Sequence, residues 1–290
     1  MVWGRPPCPT HCSMEGLSAR SVLVTGCDGG MGLELLKRFL ELPTPPQCLF
    51  AACTDPDGKA INEMALGSPS VVILPLDVTD PSSIQAAVGR VREELRGSGL
   101  NLLINSTGAR RHSMLATESA ENMALIYATN TIGPLQTSQV GPCAPRTPKD
   151  GDRGWGGDVR TPQAFMPLLK EAAEAHSGQG LSCGRAAIVN ISSILGSIEV
   201  VEAWDESQDV SYRCSKAALN MLTKCLALEY GDSGILCVSV DPGCVVPPPG
   251  DGMGPVTLEE STQGVLQVLA NLSATSNGTF WDWKGQRLPW

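Results

Sequence analysis

The fold is decided by the stretch Thr25-Gly26-Cys27-Asp28-Gly29-Gly30-Met31-Gly32. A short apolar run at residues 21–24 precedes it and a helical pattern over 32–42 follows it, so the glycines stand at a strand-to-helix turn. Glycines there let the backbone approach a pyrophosphate closely, and the free N–H groups and the helix dipole hold the anion. Gly26, Gly30 and Gly32 are the candidates for these contacts. A glycine-rich turn alone is a weak signal, and an ordinary loop stays open as the alternative.

Short apolar runs alternate with amphipathic segments along the rest of the chain. The runs cover 21–24, 48–53, 71–76, 100–104, 186–191 and 236–240, and the segments cover 32–42, 81–96, 120–139, 163–175 and 215–230. Runs that are apolar on both faces predict buried strands of a parallel sheet. Their alternation with helices predicts a Rossmann-like, doubly wound α/β fold, whose parallel sheet is flanked by helices and binds ligands at the carboxyl ends of its strands. The length of 290 residues fits one domain.

The composition argues against several classes of partner. The net charge of −9 and the lack of a long Lys or Arg run argue against nucleic acid. No stretch approaches the ~20 apolar residues of a membrane span, and the first residues lack a secretory signal. We therefore expect no membrane partner and a cytoplasmic location. The eleven cysteines and three histidines lack zinc-site spacing, so we predict no metal site and interpret the cysteines as reduced, mostly buried thiols.

Two segments fall outside the strand and helix pattern. Residues 1–19 are rich in Pro, Cys and Gly without periodicity, which predicts a disordered leader before a folded domain at 20–290. Residues 140–162 contain four prolines and five glycines and interrupt the helical pattern between 120 and 175. Because these residues cannot continue a helix, we predict that 140–162 is an insertion that loops out.

Further motifs occur in the order of a known family. The spacing Thr-Gly-x-x-x-Gly-x-Gly in the first turn is followed by Asn105-Ser106-Thr107-Gly108, Asn190-Ile191-Ser192-Ser193, Tyr212-Arg213-Cys214-Ser215-Lys216 and Pro242-Gly243. From about residue 21 to residue 290, apart from 140–162, the chain resembles the short-chain dehydrogenase/reductase family. The strings at 212–220 and 278–290 resemble in particular the sniffer and C-factor-like carbonyl reductases.

The resemblance implies a catalytic set of Asn130, Ser193, Tyr212 and Lys216. Tyr212 and Lys216 are four residues apart at the head of a helical segment, so their side chains share one face. A phenol with a pKa of ~10 is a poor acid–base group at neutral pH, and a nearby ammonium lowers that value. Tyr212 is therefore the expected general acid in reduction and base in oxidation, and Ser193 the expected polariser of the carbonyl.

Other roles follow only from the resemblance. It implies that Lys216 also binds the nicotinamide ribose and that Asn130 binds a water molecule that connects Lys216 to solvent. Asp77 resembles the acid that hydrogen-bonds near the adenine ring. The implied cofactor-binding residues are Thr25, Gly26, Gly30, Met31, Gly32, Thr54, Asp77, Val78, Asn105, Gly108, Tyr212, Lys216, Pro242, Gly243 and Val245.

The end of the second strand bears on the choice of cofactor. An acid there would bind the ribose 2′-hydroxyl of NAD, and a base beyond it would bind the 2′-phosphate of NADP. Cys53 and Thr54 are neither, and NADP-preferring relatives often carry arginines at the positions of Thr54 and Gly29. Cys53 nevertheless removes an acid that would repel the phosphate. With the resemblance to carbonyl reductases, this favours NADP(H) over NAD(H).

The expected function is hydride transfer between NAD(P)(H) and a small carbonyl or alcohol, as in a carbonyl reductase. Three departures from the family pattern keep an alternative open: Cys53-Thr54, the segment 140–162, and three prolines at 247–249, where the lid over the substrate is expected. The alternative is a catalytically weakened protein that senses the cofactor or acts as a scaffold. The helix that 140–162 interrupts often helps relatives dimerise, so a homodimer also stays open.

Overall fold

The computed structural model describes residues 17–139, 164–201, 204, 207–245 and 256–290. In these residues one sheet of eight strands has the order β3-β2-β1-β4-β5-β6-β7-β8. All neighbouring strands are parallel except β7 and β8, which are antiparallel. The strands are β1 Ser21–Thr25, β2 Cys48–Cys53, β3 Val71–Pro75, β4 Leu102–Asn105, β5 Ala187–Ile191, β6 Leu236–Asp241, β7 Thr279–Asp282 and β8 Arg287–Leu288. The predicted doubly wound fold is confirmed.

Helices cover both faces of the sheet. They are α1 Gly30–Leu40, α2 Lys59–Gly67, α3 Pro81–Leu95, α4 Ala120–Tyr127, α5 Gly133–Thr137, α6 Met166–Ala175, α7 Val210–Tyr230 and α8 Leu258–Asn271. Successive residues of β1 belong to different apolar clusters: Val22 and Val24 pack with residues of α1 and α8, and Leu23 packs with residues of α3, α6 and α7. This two-sided burial explains why the strands read as continuous apolar runs.

The helix predicted over 120–139 is broken. After α4, residues Ala128–Ile132 form a π-helical turn, and α5 ends at Thr137. A π turn widens the hydrogen-bond ring by one residue and re-aims the side chains on it, and such turns are frequent at functional sites. This turn carries Asn130, which is fully buried. A pattern of period 3.6 does not reveal a local change in helix winding.

The structure describes residues that flank the two segments predicted to lie outside the regular elements, 1–19 and 140–162. The N–H of Phe165 donates to the carbonyl of Thr137 at 3.1 Å, so the chain before and after the predicted insertion meets in space. Leu17 and Ala19 are buried in the core, so the folded domain begins earlier than residue 20, and the end assigned to the leader is corrected to this extent. Residues 1–16, the predicted insertion at 140–162 and the prolines at 247–249 lie outside the described residues.

No described helix is both long and apolar enough to cross a membrane.

Candidate active site

The chain order places a crevice at the carboxyl ends of β1 and β4. From β1 the sheet continues to β2 and β3 on one side and to β4, β5 and β6 on the other, so the connections diverge between β1 and β4. The glycine-rich turn follows β1 at this point. Gly26 has φ +75°, and a Cβ there would lie 2.9 Å from the Cα of Thr107, while a Cβ on Gly32 would lie 2.3 Å from the carbonyl oxygen of Gly26.

The turn after β1 is tied to the turn after β4. The Thr25 hydroxyl accepts the N–H groups of Ser106 at 3.0 Å and Thr107 at 3.1 Å. Thr25 is buried, so this predicted cofactor residue fixes the two turns against each other. The Ser106 hydroxyl is also buried and has no partner among the described residues. A Cβ on Gly30 would meet nothing within 4 Å, so there is open space beside this residue. The open space and the unsatisfied Ser106 hydroxyl fit a polar ligand such as a dinucleotide.

Asn130 holds the next loop against α7. Its amide nitrogen donates to the carbonyl of Ala109 and to the hydroxyl of Ser215, each at 2.9 Å, and its oxygen accepts the N–H of Ala109 at 2.7 Å. A Cβ on Gly108 would lie 3.7 Å from both the Asn130 oxygen and the Lys216 ammonium. The structure therefore brings Asn130, Gly108 and Lys216 together.

Ser193, Tyr212 and Lys216 meet at the same edge. Ser193 follows β5, Tyr212 lies in the first turn of α7, and the Ser193 hydroxyl is close enough to Tyr212 to lower its pKa. The Lys216 ammonium donates to the carbonyl of Ile191 at 2.8 Å and lies 5.7 Å from the centre of the Tyr212 ring. The four residues predicted as catalytic thus lie together at this edge, where a hydroxyl, a phenol and an ammonium are neighbours.

Burial and nearby charges set the proton affinities of this group. Burial raises the pKa of Tyr212, the Ser193 hydrogen bond and the Arg110 guanidinium lower it, and the carboxylates of Asp241 and Asp209 raise it. Burial lowers the pKa of Lys216 to about 8, against a rise from the charge of Asp241. Tyr212 thus stays protonated at neutral pH, and Lys216 is half deprotonated at about pH 8.

Two charged residues of this site were not predicted from the sequence. Asp241 is the last residue of β6, is buried, and acts on both Lys216 and Tyr212. Arg110 follows the Gly108 turn, and its guanidinium carbon lies 5.4 Å from the centre of the Tyr212 ring. Asp241 could have been predicted from the sequence, because it is an acidic residue at the end of an apolar strand and directly precedes Pro242. Arg110 lies in a loop, and its sequence position does not predict its direction.

At the other end of the crevice, beside the end of β2, the Asp28 carboxylate accepts hydrogen bonds from the neighbouring backbone and side chain. One carboxylate oxygen of Asp28 accepts the N–H and the hydroxyl of Thr54 and the N–H of Asp55, each at 2.8 Å. Thr54 was predicted to contact the cofactor, and both of its donors are engaged by this internal anion. Burial raises the pKa of the neighbouring Cys53 to about 11, so its side chain is a neutral thiol.

The other predicted cofactor residues line the same edge. Asp77 accepts the N–H and hydroxyl of Thr79, Val78 is buried, and Met31 packs against the core. Asn105 donates to Asn190 at 2.8 Å and accepts from Thr137 at 2.9 Å, so its side chain joins β4 to β5 and α5. Three further residues follow β6. The Pro242 carbonyl accepts a hydrogen bond from the Ser261 hydroxyl, and Gly243 has a φ of +79°. Val245 forms an isolated β-bridge with Val256.

Comparison with known proteins identifies relatives over most of the chain. The model of the family described as short chain dehydrogenase matches residues 20–143 and 157–250. A structure of an NADPH-bound carbonyl reductase from chicken fatty liver is 43% identical with a TM-score of 0.82, and 96% of each chain is covered. The carbonyl reductase Sniffer of D. melanogaster is 32% identical with a TM-score of 0.79, covering 94% of this chain and 100% of that one. The short-chain dehydrogenase/reductase AacuF of Aspergillus aculeatus is 25% identical over 282 residues, covering 89% of this chain and 94% of its own.

Proposed function

Because this chain belongs to the short-chain dehydrogenase family of oxidoreductases, we propose that it reduces a small aldehyde, ketone or quinone, or oxidises the matching alcohol, with a nicotinamide cofactor. The observation that carries the proposal is the convergence of Ser193, Tyr212 and the buried Lys216 at the carboxyl edge of the sheet, where the Lys216 ammonium lies 5.7 Å from the centre of the Tyr212 ring. The likeness to carbonyl reductases over nearly the whole chain supports this substrate class.

Each residue of the site has a distinct part in the proposed reaction. When bound, the nicotinamide supplies or accepts the hydride. Ser193 donates a hydrogen bond to the substrate oxygen as negative charge develops on it. Tyr212 gives its proton to that oxygen in reduction and takes it back in oxidation, and the Lys216 ammonium favours the phenolate that is left. Asn130 keeps the Gly108 turn against Lys216, and its role in holding a water stays a prediction.

The test is turnover of a panel of small carbonyl compounds by the purified protein and two variants. Tyr212→Phe removes the phenol hydroxyl and keeps the ring, so we expect kcat to fall by about 10²–10⁴ while cofactor binding is kept. Tyr127→Phe is the matched control, because Tyr127 lies exposed on α4 and outside this site. Equal activity of the wild type and Tyr212→Phe would refute the role of Tyr212.

For the cofactor, we propose NADP(H) over NAD(H). The backbone of Gly26, Gly30 and Gly32 would hold the pyrophosphate at the start of α1, and Cys53 places no acid against a 2′-phosphate. The 43% identical relative with bound NADPH supports this choice. We expect the preference to be small, because the Asp28 carboxylate occupies the donors at the end of β2. Titration with NADPH and NADH, followed by quenching of tryptophan fluorescence, measures it.

We also propose that the chain forms a homodimer. Apolar side chains are exposed on neighbouring helices, Met123, Leu125 and Tyr127 on α4 and Met221 and Leu228 on α7. A second copy would remove this apolar surface from water. Light scattering coupled to size-exclusion chromatography tests the oligomeric state, and a monomer at micromolar concentration would refute it. The cytoplasmic location stays a prediction from the sequence.

A further inference from the structure

A second cation lies against the phenol of the candidate site. The guanidinium carbon of Arg110 is 5.4 Å from the centre of the Tyr212 ring, and the Lys216 ammonium is 5.7 Å from the same point. Both distances are within the range in which a cation interacts with an aromatic ring. Tyr212 is thus flanked by two cations from different elements, one from the loop after β4 and one from α7.

Arg110 is fixed in this position by a buried carboxylate. Its Nε donates to Oδ2 of Asp209 at 2.8 Å, and its Nη2 lies 2.6 Å from the same oxygen. Asp209 is only 1% exposed and also contacts His112 Nδ1 at 3.1 Å and the N–H of Ser113 at 3.3 Å. Because a buried carboxylate needs charged and hydrogen-bonding partners, this pairing is costly to break. Asp209 directly precedes α7, so it ties the guanidinium to the helix that carries Tyr212.

The charged groups around the phenol shift the pKa of Tyr212 in opposite directions. The charged groups that act on Tyr212 or line its ring are the cations Arg110 and Lys216 and the anions Asp209 and Asp241, and Ser193 adds a hydrogen bond. Burial lowers the pKa of Lys216 to about 8, so half of its charge is lost at that pH. Arg110 places a second positive charge beside the phenol.

We propose that Arg110 is a positioning residue that acts through Tyr212, favouring release of the phenolic proton, and that Asp209 holds it in place. The proposal rests on the function proposed for Tyr212. It assigns Arg110 a role in proton transfer, distinct from binding the substrate.

Titration of the phenol itself tests the proposal without any substrate. The chain has three tyrosines, so the ultraviolet difference between a protein and its Tyr212→Phe counterpart isolates ionisation of Tyr212. In Arg110→Gln, this ionisation should move to higher pH than in the wild type. Arg111→Gln is the matched control, because it removes the same charge from the neighbouring residue of the same loop, whereas Arg110 is the one that contacts the Tyr212 ring and Asp209. Equal titration curves for Arg110→Gln and Arg111→Gln would overturn the proposal, whether or not a substrate is found.

The conservative variant keeps the test valid if Arg110→Gln does not fold. In Arg110→Lys, the ammonium can pair with Asp209, but it lacks the planar group that lies along the ring. Because the positive charge is kept, we expect at most a small shift to higher pH, and a large shift in Arg110→Lys would contradict the proposal whether or not Arg110→Gln folds.

Where turnover is measurable, kinetics separate proton transfer from substrate binding. The pH profile of kcat/KM for alcohol oxidation should move to higher pH in Arg110→Gln, in parallel with the ultraviolet titration. An increase in KM confined to anionic substrates, with an unchanged pH profile, would show that Arg110 binds substrate and would overturn the proposal.

Discussion

The two ends of the crevice differ in what their side chains are bonded to. At the end that carries Tyr212, predicted residues contact one another and the backbone: Lys216 reaches Ile191, and Asn130 joins Ala109 to Ser215. At the β2 end, Thr54 is bonded to a carboxylate of the protein's own, that of Asp28. The side chains at the Tyr212 end therefore support one another around the phenol, whereas the donors at the β2 end are engaged by a carboxylate of the protein itself.

After Tyr212→Phe, the largest effect should come from removing the hydroxyl proposed to polarise the carbonyl. In Ser193→Ala we expect kcat to fall by about 10²–10³, as for loss of one donor to a developing oxyanion. Ser192→Ala is the control, since the Ser192 hydroxyl donates to Asn220 at 2.7 Å. Steady-state kinetics with saturating cofactor measure both variants. Similar losses in the two variants would show that the catalytic end is not organised as described.

A smaller effect should come from the charge that supports Lys216. Activity in reduction should fall as pH rises through about 8, because Lys216 then loses its proton. Asp241 favours the protonated forms of both Lys216 and Tyr212, so in Asp241→Asn the fall should begin at lower pH. We expect a several-fold loss at about pH 8 and little change at about pH 6.

The surface variant Asp232→Asn makes the same charge change away from the site and serves as the control for this pH profile. A profile that is unchanged in Asp241→Asn would exclude Asp241 as a partner of Lys216.

The smallest effect should appear at the β2 end. Asp28→Asn keeps a side-chain oxygen that can accept from the N–H groups of Thr54 and Asp55, but it removes the negative charge. We expect NADPH binding to tighten by about fivefold relative to NADH, which corresponds to about 1 kcal/mol of repulsion near the surface. Fluorescence titrations of this variant and of Asp57→Asn, an exposed neighbour, measure the ratio. An unchanged ratio would show that Asp28 does not face the 2′-phosphate.

The proximity of Ser193, Tyr212 and Lys216 was predictable from the sequence because regular elements position these residues. Ser193 follows a buried strand, and Tyr212 and Lys216 are one helical turn apart, so periodicity and strand ends are enough to bring them to one edge. The first six strands were predicted within one or two residues, because their apolar runs are buried on both faces.

Other features depended on contacts that local pattern does not contain. The π turn at Asn130 is fixed by hydrogen bonds to a loop and to α7, and Arg110 is directed by Asp209, which is 99 residues away in sequence. The strands β7 and β8 are only four and two residues long, too short to show a period. The helices α2 and α8 were also not predicted, although Thr257 and Glu260 form a capping box that marks the start of α8.

The most direct test of the central claim is a single-turnover experiment with the wild type in excess over NADPH. A high protein concentration overcomes weak binding of the cofactor, so the experiment isolates the catalytic end from the altered β2 end. We predict that bound NADPH is oxidised when a small aldehyde, ketone or quinone is added, and that Tyr212→Phe stops this reaction. NADPH that binds, as shown by quenching of tryptophan fluorescence, but that no member of the panel oxidises would contradict the account and favour a cofactor-sensing protein.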